Sequence, residues 1–525
     1  MNIDETASAK KELMGHPTGL FVLFFTEMWE RFSYYGMRAI LTLYMVSEST
    51  GDNPGLGWDN SEALALYGWY TMLVYVASIP GGIIADKILG QKKSVLYGGW
   101  LLVAGHGVLS IEQDWAFYSG LLLIILGVGL LKPNVSTMVG GLYAPGDDRR
   151  DKGFSIFYIG INVGAALSAL TVGFLAASYG WHAGFGLAAI GMVLGQLVYI
   201  YGQKYLRDVG NKPLKSHDDP NSISLGEILK KMIRTKMSLG ALIIFSVISF
   251  VIPLSLMSDE VIPYIIFFLF LSFVVSFMMT VFQDLNGKVE KDRFVVLLLS
   301  FLIVIVFWGA FEQAGGLMNI YAEQKANRMV FGYHIPAAVM QFFNPFYIIA
   351  LGIPVAGFWI WVKRKGKEAT SIFKMGIGVI IMGLGFVFMV FASLQYNEFG
   401  ESALIWLILA YLLHTIGELC ASPVALSFIT KLAPLRYGAL MMGVYFAATG
   451  LGNKVAGIIG ESAEQAGDLK VFTTITILCV AFGVLVILLL KPLKRLTHGA
   501  EDRKVEGLEQ EGFELADSEI ENNEK

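Results

Sequence analysis

The sequence predicts an all-α polytopic membrane protein, and three properties of its 525 residues support this prediction. Hydrophobic residues make up 55% of the chain and charged residues only 16%, whereas soluble domains average about 25% charged residues. Long apolar stretches recur along the chain, and with only two Cys there is no disulfide framework to replace a core. The small net charge of −4 argues against a nucleic-acid partner.

Individual membrane spans follow from length, because a hydrocarbon core of about 30 Å takes roughly 20 apolar residues per helix. Fourteen stretches of the sequence satisfy this condition. They are residues 17–46, 62–85, 94–112, 115–140, 153–178, 183–205, 238–257, 261–283, 294–318, 337–362, 371–394, 402–428, 437–460 and 470–490.

The distribution of basic residues predicts the orientation of these spans, since cytoplasmic loops are enriched in Lys and Arg. With both termini in the cytoplasm, 32 of the 39 basic residues lie in cytoplasmic segments. The opposite loops hold three, Lys325, Arg328 and Lys470, and the other four lie within spans. Both termini are therefore predicted to be cytoplasmic.

The loops divide the chain into two six-helix halves separated by an insert. We predict an N-terminal bundle at 1–206, a cytoplasmic linker with a two-helix insert at 207–293, a C-terminal bundle at 294–497 and an acidic disordered tail at 498–525. The insert is apolar and is expected to be a lipid-facing scaffold. Two six-helix halves are similar to the major facilitator fold, in which substrate binds near the membrane midplane between the halves.

Charged residues inside the spans indicate where a polar interior must lie, because each costs roughly 2.5–3.5 kcal/mol at a helix centre facing lipid. Seven such residues occur, namely Glu27, Glu30, Arg31, Arg38, Lys132, Glu312 and Glu418. Lys454 lies nearer a helix end, where its ammonium group can reach water by snorkelling. We therefore predict a structural role for Lys454 rather than a role in the site. Structural salt bridges explain any single pair equally well, but they explain a set spread over both halves poorly.

The signs of these charges differ between the halves and predict the ligand. The N-terminal half carries three cations, Arg31, Arg38 and Lys132, whereas the C-terminal half carries only carboxylates, Glu312 and Glu418. A ligand with an anionic and a cationic end fits between them. The residues alone therefore predict a cavity for a small zwitterion, with carboxylates able to change protonation.

Four motifs give the chain a resemblance to one family. The stretch EMWERFSYYG at 27–36 is similar to the E-x-x-E-R-F-x-Y-Y-G motif of the proton-dependent oligopeptide transporters. Segments 81–93 (GGIIADKILGQKK), 154–164 (FSIFYIGINVG) and 417–434 (GELCASPVALSFITKLAP) resemble three further motifs of this peptide transporter family. The two-helix insert and the short loop at 395–401 are typical of its bacterial members.

The resemblance implies roles for particular residues. The peptide carboxylate and backbone are expected at Arg31, Tyr34, Tyr35, Lys132 and Asn162, and the amino terminus at Glu418 and Asn344. Trp308 and Tyr75 are expected to line side-chain pockets, and Phe154 to form part of the inner gate. Glu27, Glu30 and Glu312 are the proton-coupling residues that it suggests, with bridges Arg38–Glu312 and Lys132–Glu418 closing the outer side.

One departure from the family concerns the coupling ion. Animal members carry a histidine on the second helix where this chain has Tyr70, which does not exchange a proton near neutral pH. Proton coupling would then depend on the carboxylates. The resemblance implies symport of di- and tripeptides with protons, no cofactor and no enzymatic activity, by a monomer in a bacterial inner membrane.

Three other functions compete with this prediction. Another facilitator, for nitrate, an organic acid or a sugar, is the nearest alternative, although nitrate would leave Glu418 without a partner. An intramembrane hydrolase lacks H-E-x-x-H, G-x-S-x-G and a Cys pair suited to a metal. A peptide sensor built on a transporter fold is the third alternative. No added signalling domain is visible in the sequence, and measured flux across the membrane would exclude a pure sensor.

Overall fold

The structure is a computed structural model that describes residues 12–144, 147, 149–211, 225–255 and 261–500. Most of the acidic tail predicted at 498–525 and part of the linker predicted at 207–293 lie outside these residues. The four-part division of the chain stays a prediction.

Helices dominate the described ranges, and three pairs of two-residue strands accompany them. The helices are α1 Thr18–Val46, α2 Asn60–Val76, α3 Ser78–Ile84, α4 Gln91–Leu109, α5 Asp114–Gly141, α6 Arg149–Tyr179, α7 Trp181–Gly202, α8 Leu225–Arg234, α9 Lys236–Ser255, α10 Val261–Asp284, α11 Lys288–Phe311, α12 Leu317–Lys325, α13 Phe343–Arg364, α14 Ser371–Phe399, α15 Ile405–Leu432, α16 Gly438–Ala466, α17 Asp468–Leu488 and α18 Leu490–Leu496. The strands are β1 Glu12–Leu13, β2 His16–Pro17, β3 Ala326–Asn327, β4 Met329–Val330, β5 Tyr333–His334 and β6 Ser402–Ala403. β1 pairs antiparallel with β2, β3 parallel with β6, and β4 antiparallel with β5.

Ten helical segments in the described part of the chain are long and apolar enough to cross a membrane. Within the described residues, each of the fourteen predicted stretches lies mostly in helix, but those on α1, α4, α9 and α16 are not among the ten. α1 carries four charged residues within its apolar stretch. The chain is a multi-pass helical membrane protein, and fourteen crossings stay a prediction.

One predicted span is interrupted at a residue of the predicted site. The span predicted at 294–318 leaves the α-helix at Phe311, passes through a 3₁₀ turn at Glu312–Ala314 and resumes as α12 at Leu317. The paired glycines Gly315 and Gly316 follow the turn and precede α12. Glu312 therefore lies at a helix break inside the membrane.

Helix packing builds each half of the protein, and one pair of helices joins the two halves. α1 packs on α6 and α7 and α4 packs on α5 in the first half, whereas α14 packs on α15 and α17 in the second. α2 crosses over and packs against α16, which joins the two halves along a seam. The two helices approach closely at Gly68 of α2, where an added Cβ would stand 2.9 Å from the Cα of Gly457 of α16.

Candidate functional site

A cavity of about 1050 Å³ lies between the two halves and collects almost every residue that the sequence singled out. The predicted site residues that line it are Glu27, Arg31, Tyr34, Tyr35, Arg38, Tyr75, Lys132, Phe154, Asn162, Trp308, Glu312, Asn344 and Glu418. Glu30 does not line it and is fully buried behind Arg31. Six of the seven charges inside the spans thus line a shared interior, as their cost in lipid requires.

The wall from the first half is built on one stripe of α1. Arg31 Nε lies 3.1 Å from Glu27 Oε1, one turn earlier, and also contacts the carboxylate of Glu30. The guanidinium group lies 5.7 Å and 5.8 Å from the ring centres of Tyr34 and Tyr35. Neither ion pair has hydrogen-bond geometry at Nε, and Nη2 has no hydrogen-bond partner among the described residues. Arg31 therefore keeps donors for a carboxylate ligand.

Lys132 supplies a second cation on this wall. Its Nζ lies 3.9 Å from the ring centre of Tyr75, a cation–π contact that stabilises the ammonium group. No ion pair of Lys132 within 4.0 Å occurs in the part of the chain that the structure describes. This cation is available to an anionic ligand.

The opposite wall places a carboxylate and an amide together. Asn344 Nδ2 donates to Glu418 Oε2 at 2.8 Å and lies 3.1 Å from the hydroxyl oxygen of Thr415. The predicted bridge between Lys132 and Glu418 is absent from this conformation, and this corrects the expectation that it forms together with Arg38–Glu312. The reason is that each charge is held on its own wall, Lys132 by Tyr75 and Glu418 by Asn344, with the cavity between them.

The cavity is closed at one end by a buried cluster that joins the halves. Arg38 Nε lies 3.2 Å from Glu312 Oε1, as the resemblance implies. Tyr67 of α2 completes the cluster, because its hydroxyl donates to Glu312 at 2.5 Å and accepts from Arg38 at 2.8 Å. Sequence reasoning missed Tyr67, since a neutral tyrosine in an apolar span gives little signal. Its position one turn before Tyr70 and Thr71, on the side of α2 that turns inward, was the available clue.

Further hydrogen bonds across the halves reinforce this closed end. Asn319 of α12 donates to the carbonyl of Ala39 at 2.9 Å, and Thr42 donates to the carbonyl of Gly315 at 3.0 Å. At the other end the cavity continues past Phe154 to Asp86, Gln91 and Arg150. Those residues belong to the side that the distribution of Lys and Arg predicts to be cytoplasmic. The conformation is closed on the predicted outer side and extends toward the predicted cytoplasmic side.

Lys454 differs from its predicted behaviour. Its side chain is only 2% exposed, and Nζ pairs with Glu461 Oε1 at 3.0 Å, two turns along α16. The ammonium group also lies 5.1 Å from the ring centre of Trp69 on α2. The structural interpretation fits these contacts, but snorkelling to water is wrong, because Glu461 supplies an internal partner.

A membrane protein built of two helical bundles around a charged central cavity has the architecture of a solute transporter. The family model described as "POT family" matches residues 92–475, and this chain belongs to that family of transporters. An uncharacterized transporter of Bacillus subtilis, YclF, is 37% identical over 93% of this chain and 97% of its own length. The peptide transporter YePEPT of Yersinia enterocolitica is 34% identical over 94% and 98%.

Solved structures agree with these sequence relatives. A crystal structure of a peptide transporter POT in complex with sulfate is 37% identical and superposes with a TM-score of 0.79. The match covers 93% of this chain and 97% of that chain. The family and its helical membrane fold are thus confirmed, whereas the roles assigned to individual site residues stay predictions.

Proposed function

We propose that this protein is a proton-coupled symporter of di- and tripeptides that works by alternating access. The peptide carboxylate binds to Arg31 and Lys132 on the N-terminal wall, and the amino terminus binds to Glu418 and Asn344 on the C-terminal wall. Tyr34, Tyr35 and Asn162 contact the peptide backbone, and Tyr75 and Trp308 flank the side chains.

One observation carries this proposal. Lys132 and Glu418 face the same cavity from opposite halves, and neither is paired with the other. Charges held in a site of low dielectric attract an opposite charge more strongly than charges in water do. A zwitterionic peptide satisfies both walls at once, whereas a simple anion such as nitrate satisfies one and leaves Glu418 without a partner.

Proton coupling follows from the carboxylates that share Arg31. Glu27 and Glu30 both contact its guanidinium group. A peptide carboxylate that takes over this cation leaves them without compensation, and a carboxylate without its cation takes up a proton more readily. Glu312, at the closed end, is the third proton-coupling residue, because its protonation removes the charge that Arg38 binds. Substrate and proton then bias the same two-state equilibrium.

The finer features of the protein belong to the same proposal. We expect fourteen crossings with both termini in the cytoplasm, a bacterial inner-membrane location and a functional monomer. Protons are the coupling ion, and no cofactor takes part. The bundles at 1–206 and 294–497 move against each other, and the insert at 207–293 accompanies them.

Uptake into proteoliposomes tests the proposal directly. A labelled dipeptide should accumulate when a proton gradient is imposed, because one inward proton at 100 mV contributes about 2.3 kcal/mol, or nearly a fiftyfold concentration ratio. An uncoupler should abolish accumulation, and so should Glu30→Gln. Glu48→Gln is the matched control, since this carboxylate is exposed just beyond the end of α1. Accumulation that resists the uncoupler, or that persists in Glu30→Gln, would exclude this coupling scheme.

A further inference from the structure

The two-helix insert contributes a wall to the cavity. Its apolar sequence did not predict this contribution. Four residues of α10 line the cavity together with the charged site, namely Phe270, Phe273, Val274 and Phe277. Their spacing of i, i+3, i+4 and i+7 places them on one stripe of a helix. Phe273 and Phe277 stack with ring centres 6.3 Å apart. The expectation of a purely lipid-facing insert is therefore wrong for this face of α10.

The position of this stripe coincides with a widening gap between the two halves. A Cβ added to Gly68 or Gly450 would stand 2.9 Å from the opposite helix of the α2–α16 seam. One added to Gly443 would stand 3.7 Å from Ile79, and one added to Gly82 would have no atom within 4 Å. α2 and α16 thus touch near the closed end of the cavity, and α3, which continues the line of α2, stands farther from α16 toward the other end. The cavity lining there includes Ile79 and Gly82 of α3, α16 from Leu440, and the stripe of α10.

α10 is tied to α16 at its outer end by polar contacts. Tyr264 donates a hydrogen bond to Glu461 of α16 at 3.0 Å, and Glu461 pairs with Lys454. Toward α2, the contacts are apolar, because Phe267 packs edge-on against Trp69 at 6.3 Å and contacts the cluster around Met72. The outer end of α10 is therefore bound to α16 by a hydrogen bond, whereas it only packs against α2.

A second polar anchor fixes the inner end of α10. Asp284, its last residue, pairs with Lys231 of α8 at 2.7 Å and with Arg436 at 3.4 Å, and it accepts a hydrogen bond from Tyr437. Arg436 and Tyr437 immediately precede α16. Since both ends are tied to α16, the helix between them is held against the seam.

We propose that α10 is a lateral wall of the transport cavity, anchored on α16, whose aromatic stripe covers the gap between α2 and α16. Exclusion of acyl chains is the function of this wall, because an uncovered gap would expose the charged cavity to the bilayer core. An apolar face suits the purpose, since it can slide along α2 without breaking hydrogen bonds. The inference rests on the proposed function only in requiring that α2 and α16 move apart and together during transport.

Thiol labelling tests the wall without any substrate. Cysteine is introduced at Phe273 in the full chain with both native cysteines replaced (Cys420→Ala and Cys479→Ala), and the protein is held in lipid nanodiscs. A charged methanethiosulfonate reagent, which reacts in water and not in hydrocarbon, should label Phe273→Cys at least tenfold faster than Ile266→Cys. Ile266 is a stringent control on the same helix, because it is 53% exposed, does not line the cavity and lies nearer a helix end.

Equal labelling rates at the two positions would overturn the proposal, since Phe273 would then face lipid as Ile266 does. Val274→Cys gives the same comparison with a smaller loss of side-chain volume if Phe273→Cys fails to fold, as judged by its gel-filtration profile. Labelling does not depend on peptide uptake. Failure of the wild-type protein to transport peptide, together with fast labelling of the Phe273→Cys variant, would refute the proposed function and leave the wall intact.

Discussion

Two ion pairs of similar length show how differently the interior of the cavity and the margin of the bundle use charge. Arg38 and Glu312 approach to 3.2 Å with side chains 8% and 6% exposed. Lys494 and Glu368 approach to 2.9 Å with side chains 44% and 33% exposed. The shorter pair, Lys494 and Glu368, is the more exposed one, so water can take the place of either partner.

Burial rather than distance therefore ranks the two pairs. An exposed pair contributes at most about 1 kcal/mol, because solvent screens it and holding two long side chains together costs entropy. Removal of one partner from a buried pair costs about 3–5 kcal/mol, because the other charge is left uncompensated. We therefore expect the buried pair to control the conformational equilibrium and the exposed pair to affect stability alone.

The largest effect is expected from Arg38→Met, which leaves Glu312 charged and buried at the closed end. A cost of about 3–5 kcal/mol to the closed conformation corresponds to a shift of at least a hundredfold in the equilibrium between conformations. Peptide uptake by proteoliposomes should fall about a hundredfold. Lys494→Met makes the same chemical change in the exposed pair and should leave uptake within a factor of two.

The double variant Arg38→Met with Glu312→Met separates the gate from the proton step. Replacement of a whole buried pair by apolar side chains is often neutral for stability. The double variant should thus recover the thermal stability lost in Arg38→Met, yet stay inactive in proton-driven uptake because Glu312 is gone. Recovery of uptake would show that Glu312 carries no proton.

Glu418→Gln should have the next largest effect, because it keeps the shape of the side chain and removes the charge that receives the amino terminus. A hydrogen bond to a charged group contributes about 1.5–3 kcal/mol, so apparent affinity for a free dipeptide should fall roughly tenfold to a hundredfold. Ser422→Ala, one turn further along α15 and also lining the cavity, is the control. Unchanged affinity in Glu418→Gln would remove this residue from the binding site.

Tyr67→Phe tests the member of the buried cluster that sequence reasoning missed. It removes the hydroxyl that joins Arg38 to Glu312 and should reduce uptake about tenfold. Tyr70→Phe is closely matched, since Tyr70 is also buried on α2 but its hydroxyl has no hydrogen-bond partner among the described residues. A loss of similar size in both variants would indicate general damage to α2 rather than loss of the bridge.

The smallest effect is expected at the exposed pair, through pH. Burial raises the pKa of Glu368, but hydrogen bonds from Thr370 and Lys494 outweigh it and hold this pKa below its usual 4.5. A carboxyl group whose pKa is lower in the folded chain than in the unfolded chain stabilises the fold at pH values above its unfolded pKa. This stabilisation disappears as the pH falls through the folded pKa. Glu368→Gln should lower the melting temperature by about 1–2 °C at pH 7 and leave it unchanged near pH 3, with normal uptake. A larger decrease in melting temperature at pH 3 than at pH 7 would contradict the lowered pKa of Glu368.

The sequence was most informative where burial is expensive. Charged residues such as Arg31, Lys132 and Glu418 reveal a polar interior, because a span facing lipid would not carry them. Their convergence on one cavity was predictable from cost alone. Each charged residue could also be assigned to one half of the protein, because the first six spans form one half and the last six form the other.

Neutral groups and partner geometry were much harder to predict. Tyr67 carries no charge, and its role depends on Arg38 and Glu312 lying on either side of its hydroxyl. The stripe at Phe273 is equally apolar whether it faces lipid or a cavity wall. Lys454 looked like a snorkelling residue because its partner, Glu461, becomes its neighbour only on the folded helix.

The central claim is that opposite halves of one cavity hold the two ends of the same peptide. Competition against uptake of a labelled dipeptide measures this directly, with the free dipeptide, its N-acetyl form and its C-terminal amide as competitors. The account predicts that each blocked form competes at least tenfold more weakly than the free dipeptide. It also predicts that acetylation costs nothing further in Glu418→Gln. Equal competition by the free and the N-acetylated peptide in the wild-type protein would contradict it.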